Sequence, residues 1–233
     1  MKVLVIDVGG NHVKLLATGY RTPRKLDSGG GLTPSRMVRG IKALVADWSY
    51  EAISMGYPGL VLNGRIASEP HNLGGGWVGF DFAKAFGRPV IILNDAAMQA
   101  LGGYRKGRML FLGLGTGLGS AMITDGLLEP MELAHLPYKK GRTYEDYVGR
   151  KGLKRFGKRK WRRHVADVVS RLRAALEPDD LVIGGGNVKK LDKLPPGARL
   201  GKNADAFVGG FRVWSSKTKP RAGRAVLVPS GYR

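Results

Sequence analysis

The chain opens on the apolar run Val3-Leu4-Val5-Ile6, and the stretch from Val3 to Val8 predicts a buried strand. Gly9-Gly10-Asn11 follows as a tight turn, because glycine accepts the positive φ that such turns need, and Val13 to Ala17 predicts the return strand. Thr33 and Pro34 have the chemistry of a helix N-cap and a first helical position. Met37, Val38, Ile41, Leu44, Val45 and Trp48 then recur at helical spacing. Further strands are predicted over Ala52 to Met55, over Leu60 to Ala67 with a fold at Asn63-Gly64, and over Pro89 to Leu93, which ends at Asn94-Asp95.

The second half repeats the theme. Met109 to Leu112 and Ser120 to Thr124 flank Gly113-Leu114-Gly115-Thr116-Gly117-Leu118-Gly119, and Asp125-Gly126 marks another turn. Two strand, glycine turn, strand units predict two related lobes. From Thr143 to Leu176 the pattern is that of one long basic helix, with Trp161, Val165, Val168, Val169, Leu172 and Leu176 on one face. Leu181-Val182-Ile183 predicts a short buried strand ending at Gly184-Gly185-Gly186. Ala204 to Trp214 predicts a last helix, and residues 215–233 a loosely held basic tail. Strands alternating with helices give the α/β class.

At 233 residues, 43% hydrophobic and 24% charged, the chain can bury a core and form one large domain or two small lobes. No run approaches the roughly 18 apolar residues of a membrane span, and no hydrophobic leader precedes Val3, so the sequence reads as soluble and not secreted, with no membrane partner. The absence of cysteine excludes disulfides, thiolate zinc sites and cysteine nucleophiles, and fits a reducing cytoplasm. A net charge of +21 implies a field that attracts polyanions such as nucleic acid, anionic lipid or polyphosphate. Charge alone does not choose among them, and a basic composition also serves solubility.

A glycine-rich turn between strands exposes successive backbone N–H groups that can hold phosphate oxygens, and the same sequence also makes an ordinary tight turn. Two such turns, each near a carboxylate, point to a phosphate clamp. Asp95 follows a strand and opens the helical segment Ala96 to Leu101, a place suited either to a helix cap or to a carboxylate fixed beside a cleft. Glu132 and His135, three residues apart, share one face of a turn, and Glu145 follows on the next helix. Carboxylates and imidazole of this kind can read a polyol through its hydroxyls. Glu145 is equally suited to a solvated ion pair. Asn72 and Asp81 flank Trp77 and serve either a sugar or their own turns.

Asp7-Val8-Gly9-Gly10-Asn11-His12-Val13-Lys14, Gly113 to Ser120 and Leu181 to Gly186 resemble the two phosphate motifs and the adenosine-side motif of ROK-family sugar kinases. Within that family the chain is most similar to the polyphosphate glucokinases. The likeness runs from about Lys2 to Trp214 and includes Gly56-Tyr57-Pro58-Gly59, Asn72-Leu73, Trp77-Val78-Gly79, Leu93 to Ala96, Glu132 to His135 and Asn203 to Gly209. Asn11 stands where many members carry Thr or Ser, and Ala134 replaces a usual glycine. The cysteine-rich zinc motif of the wider family is missing, so no zinc is expected at His135.

The resemblance implies an actin-like (ribonuclease H-like) fold of two lobes, 1–96 and 97–214, around a central cleft, with the last helix able to return to the first lobe. It implies phosphoryl transfer from polyphosphate or ATP to the 6-hydroxyl of glucose or a similar hexose. Asp95 would accept the hydroxyl proton; Asn94, Glu132, His135, Glu145 and Asn72 would bind the sugar. Gly9, Gly10, Asn11, Lys14, Gly115, Thr116 and Gly117 would hold phosphate, Gly184, Gly185 and Gly186 would face adenosine, and Asp7 would attend a Mg2+ ion. A cytoplasmic homodimer with no specific nucleic-acid partner is the further expectation. A ROK-type regulator would need a DNA-binding helix-turn-helix ahead of the core, and the chain opens at the first phosphate turn.

Overall fold

All six positions of Val3–Val8 are buried because this strand, β1, becomes the centre of a five-stranded sheet in the computed structural model, which describes residues 1–215 and 226–227. β2 (His12–Ala17) returns antiparallel to β1, and β3 (Arg24–Asp27) extends the sheet beyond it. Helix α1 (Pro34–Leu44) begins where Thr33 accepts the Arg36 N–H, and lays Met37, Val38 and Ile41 on the sheet. It ends at Leu44, so Trp48 lies past the helix, in a turn where its N–H reaches the Val45 carbonyl; its ring is still buried. β4 (Ala52–Tyr57) runs parallel to β1. A small hairpin, β5 (Val61–Leu62) with β6 (Arg65–Ile66), turns at Asn63 and Gly64, both at positive φ. The short helix α2 (Phe82–Phe86) precedes β7 (Val90–Asn94), which lies parallel to β4 and gives the order β3-β2-β1-β4-β7.

Helix α3 (Asp95–Gly103) leads to a second sheet built on a related plan. β8 (Arg108–Leu114), β9 (Leu118–Thr124) and β10 (Leu127–Met131) form an antiparallel meander, the last turn made by Asp125 and Gly126 at positive φ. A single helix over Thr143 to Leu176 is not what forms. α4 (Tyr144–Val148) and α5 (Arg150–Leu176) are separated by an extended Gly149, where a Cβ would stand 2.8 Å from the carbonyl oxygens of both Glu145 and Thr116. α5 is also bent at Gly157, whose φ of 68° is non-helical. β11 (Asp180–Gly184) and β12 (Ala198–Leu200) add parallel strands, α6 (Asp205–Ser215) follows, and β13 (Val226–Leu227) pairs with β10. The rest of the expected basic tail lies outside the described residues.

Three apolar cores result. One joins α1 to the outer face of the first sheet, and another joins α4 and α5 to the second. The third lies between the sheets and contains Val3 and Val5, most of α3, Met109, Phe111 and Val182, and residues of α6. α6 therefore packs back on β1 and β4, where Ser54 Oγ donates to the Gly210 carbonyl at 2.5 Å. Among the described residues no helix is long and apolar enough to cross a membrane.

Candidate active site

Three parallel strands, β1, β4 and β7, end side by side, and ligand sites of α/β sheets form at such carboxyl ends. Asp7 on β1 is level with Gly56 on β4, which is level with Leu93 on β7, two residues before Asp95. Gly56 bears no side chain there for a physical reason: a Cβ would meet the Met98 methyl at 2.4 Å and the Asp95 Cα at 3.6 Å. Its bareness lets α3 start close to the sheet and brings the Asp7 and Asp95 carboxylates under each other's field.

The helix cap is Asn94, not Asp95. Asn94 Oδ1 accepts the N–H groups of Ala96 at 2.9 Å and Ala97 at 3.3 Å, while its Nδ2 donates to the Gly59 carbonyl at 3.1 Å. Asp95 Oδ1 accepts from the Ala96 N–H at 2.7 Å, and the residue keeps partial solvent access. Burial raises the Asp95 pKa to about 7, with the negative charges of Asp7 and Glu132 acting in the same direction and the Ala96 N–H opposing them. A carboxyl poised near neutrality is what proton transfer at physiological pH requires.

The first glycine turn is held from outside. Gly9 N–H donates to the His12 carbonyl at 3.1 Å, Ser28 Oγ donates to the Gly9 carbonyl at 2.6 Å, and the Ser28 N–H donates to the Asn11 carbonyl at 3.0 Å. Asn72 Cβ lies where a Gly10 side chain would approach to 3.7 Å, so Asn72 flanks this turn. Lys14, opposite Asp7 in the β1–β2 register, donates through Nζ to Asp7 Oδ2 at 3.3 Å. Its ammonium therefore partners the buried carboxylate directly.

The second turn is tighter: the Gly115 N–H donates to the Gly117 carbonyl at 3.1 Å. Arg150, first residue of α5, donates its N–H to the Thr116 carbonyl at 2.9 Å, so the basic helix starts on this turn. Glu145 also stands here, its carboxylate occupying the space a Gly117 side chain would need. Asn187 closes the other flank, its Nδ2 donating to the Gly115 carbonyl at 2.7 Å and its N–H to the Leu114 carbonyl at 2.8 Å. Gly184 and Gly185 are close-packing glycines. A Cβ on Gly185 would come 2.4 Å from the Leu114 oxygen, whereas a Cβ on Gly186 would meet nothing within 4 Å.

Glu132 and His135 come together as their spacing suggested, with Glu132 Oε2 3.7 Å from His135 Nε2, both well exposed. Ser120 on β9 fixes this segment, its Oγ donating to the Met131 carbonyl at 2.7 Å and accepting the Leu133 N–H at 3.2 Å. The neighbouring Gly119 lies so close to Ala96 that a Cβ would stand 2.8 Å from the alanine methyl, which ties the same strand to the start of α3. Asp81 is occupied as the cap of α2, accepting the Lys84 N–H at 2.8 Å.

Ser28, Gly56, Ser120 and Asn187 form the supporting frame; Ser28 and Asn187 stand in no motif, and the supporting contacts of Gly56 and Ser120 are not legible from the motifs that contain them, since each acts on a residue distant in the chain. Among the described residues no cluster of three or more His, Asp and Glu could cage a metal. A magnesium ion at a phosphoryl-transfer site is held by one or two carboxylates together with phosphate oxygens and water. Asp7 fits that smaller demand, with the rest of the shell brought by a donor.

A model of the ROK family matches residues 3–129. A polyphosphate glucokinase of Mycobacterium tuberculosis is 30% identical over 213 aligned residues, covering 82% of this chain and 80% of that protein. Among solved structures, an inorganic polyphosphate/ATP-glucomannokinase from Arthrobacter sp. strain KM has a TM-score of 0.74 at 24% identity, covering 89% of this chain and 96% of the other. A ROK family glucokinase from Streptomyces griseus, in complex with glucose and AMPPNP, has a TM-score of 0.73 at 16% identity, covering 90% and 97%. The fold is thus the two-lobed actin-like one of ROK sugar kinases, and by the extent of the sequence match the chain belongs to the ROK family.

Proposed function

We propose that this protein moves the terminal phosphoryl group of inorganic polyphosphate, or of ATP, to the 6-hydroxyl of glucose or a closely similar hexose. The observation that carries the reading is Asp95, a carboxyl with pKa near 7 at the start of α3, beside Asp7 and in the field of Glu132. In the proposed step the sugar O6 gives its proton to Asp95, attacks the terminal phosphorus, and the bond from that phosphorus to the bridging oxygen breaks, leaving the shortened donor with the electron pair. Glu132 and His135 hold sugar hydroxyls; Asn94 caps the helix that aims Asp95. The two glycine turns cradle donor oxygens, and Glu145, beside Gly117, borders that cradle. Asp7 would hold magnesium, which supplies neutralisation of the phosphate charge. Closure of lobe 1–96 on lobe 97–214 would exclude water and limit hydrolysis of the donor.

Polyphosphate is favoured as donor by α5, which starts on the second turn and carries Arg150, Lys151, Lys154, Arg155, Lys158, Arg159 and Lys160, exposed along its first half. That charge exceeds what the short phosphate tail of a nucleotide can use, whereas a long polyanion can engage it. The similarity to a polyphosphate glucokinase of Mycobacterium tuberculosis supports the same donor. The open space at Gly186, on the side the family resemblance gives to adenosine, supports ATP as a second donor. The same resemblance extends the proposal to a homodimer in the cytoplasm. A coupled assay of glucose 6-phosphate with each donor tests the reading: polyphosphate should give the higher kcat/KM. Turnover with ATP alone would make the protein a strictly ATP-dependent hexokinase.

A further inference from the structure

Glu132 and His135 sit on a segment that the second sheet holds at its start, through Ser120 of β9, and that runs on beyond the sheet. After β10 ends at Met131, the chain makes a single 3-10 turn over Leu133–His135 and then an outward hairpin, 136–143, before α4 begins. The hairpin is closed at its base by the Tyr144 N–H donating to the Leu136 carbonyl at 3.0 Å and by the Tyr138 N–H donating to the Arg142 carbonyl at 2.8 Å. Its tip, Lys139-Lys140-Gly141, is exposed, with Lys140 and Gly141 at positive φ.

One cluster fastens this hairpin to α5. Tyr138 Oη donates to Asp167 Oδ2 at 2.5 Å, and Lys139 Nζ and Arg171 Nε approach the same oxygen, each at 3.3 Å. Tyr138 Oη also lies 3.2 Å from His164 Nδ1, and the Tyr138 ring meets the Tyr147 ring edge-on at 4.9 Å. Tyr147 Oη donates in turn to the Lys139 carbonyl at 3.3 Å. Asp167 is the one carboxylate on α5, a helix otherwise loaded with Lys and Arg. A negative charge there weakens the helix's pull on a polyanion, so the three donors it gathers are its evident purpose. The Tyr138 hydroxyl, more than any other group, holds the Asp167 carboxyl below its usual range, and burial keeps the His164 imidazole below its own. The same α5 touches the second glycine turn at Thr116, so one helix links the donor turn to the segment after Glu132 and His135.

We infer that Asp167 and Tyr138 are positioning residues for the sugar, setting through the hairpin 136–143 where Glu132 and His135 stand without touching the sugar themselves. The inference rests on the proposed function, which assigns Glu132 and His135 to the sugar. Tyr138→Phe removes one hydroxyl and keeps the ring, and Asp167→Ala removes the shared acceptor. Tyr138→Phe should raise the sugar KM roughly 3- to 10-fold, with kcat and the donor KM within about twofold, because the lost bond orients ground-state sugar contacts. The double variant should be only slightly worse than Asp167→Ala, since the Tyr138–Asp167 bond is lost in both and only the Tyr138–His164 contact is lost in addition. Amide hydrogen exchange over 136–143 should quicken in Tyr138→Phe. A wild-type sugar KM in Tyr138→Phe, or a parallel change in sugar KM, donor KM and kcat, would overturn the inference, and Tyr138→Phe decides the matter even if Asp167→Ala does not fold. If the wild-type protein itself formed no glucose 6-phosphate with either donor, the proposed function would fall and the inference with it. An active wild type with an unmoved Tyr138→Phe variant would sink the positioning role alone.

Discussion

At the scale of single residues, Asp95 ties stability to chemistry. Its pKa moves from 3.8 to about 7 because burial and the Asp7 charge disfavour the ionised form. Between those two values the folded protein holds a proton that the unfolded chain has released, so stability falls as pH rises through that window. Asp95→Asn removes the penalty while nearly preserving size. At pH 8 the variant should therefore be more stable by about 1–4 kcal/mol in urea denaturation, with the difference vanishing near pH 4. Equal stability at both pH values would mean the carboxyl is not strained in the fold. The same ionisation should govern catalysis, since only the deprotonated form accepts the hydroxyl proton: kcat/KM should reach half its plateau near pH 7 and lie about tenfold lower at pH 6. A flat profile from pH 5.5 to 8.5 would remove Asp95 from the role of base. Glu132→Gln and His135→Ala act differently, because sugar contacts are made in ground and transition states alike. Both should chiefly raise the sugar KM in steady-state kinetics, and an unchanged KM in both would place the sugar elsewhere.

Among the elements, α5 shows what the sequence could and could not reveal. Its apolar face was readable from spacing alone, and Trp161, Val165, Val168, Val169 and Leu172 are all buried. Its start was not, because the break at Gly149 arises from close contact with Thr116, some thirty residues earlier in the chain. β3 is illegible in the sequence for another reason: Arg24-Lys25-Leu26-Asp27 is a half-exposed edge strand with one apolar residue, too little for a period to register. β12 and α2 are similarly short. The charges of α5 are not equivalent either. Arg162 donates to the Lys190 carbonyl and pairs with Asp192, so it serves the fold, whereas Lys158, Arg159, Lys160 and Arg163 are exposed. Changing those four to glutamine should weaken polyphosphate use far more than ATP use. Wild-type polyphosphate KM should also climb steeply with salt, because a long polyanion releases counterions on binding. Equal losses for both donors, measured as kcat/KM, would mean the segment does not bind the chain of phosphates.

The molecule as a whole depends on how α3 and α6 cross between the two sheets. A Cβ on Gly102 would stand 1.8 Å from the Asp205 carbonyl oxygen, and one on Gly209 would stand 1.8 Å from that of Met98. The crossing exists only because both helices are bare there. Gly209→Val must push them apart and should cost about 3 kcal/mol or more by overpacking, read as a lower urea midpoint; an unchanged midpoint would contradict so close a contact. Turnover should fall too, since α3 carries Asp95. The motifs Asp7 to Lys14, Gly113 to Ser120 and Glu132 to His135 were legible because each is local. The neighbourhood of Asp7 and Asp95 was not, as it requires the parallel register of β1, β4 and β7 across a bare Gly56. Nor could local sequence foretell the attachment of the Glu132 segment to Ser120. In the proposed function this frame aims Asp95 at a hexose hydroxyl beside a phosphoryl donor. The most direct test is glucose 6-phosphate formation with magnesium and polyphosphate, wild type beside Asp95→Asn. The wild type should turn over, and the variant should lose roughly 100-fold or more with sugar affinity retained. Product at the wild-type rate from Asp95→Asn, or none from the wild type with either polyphosphate or ATP, would contradict the proposed function.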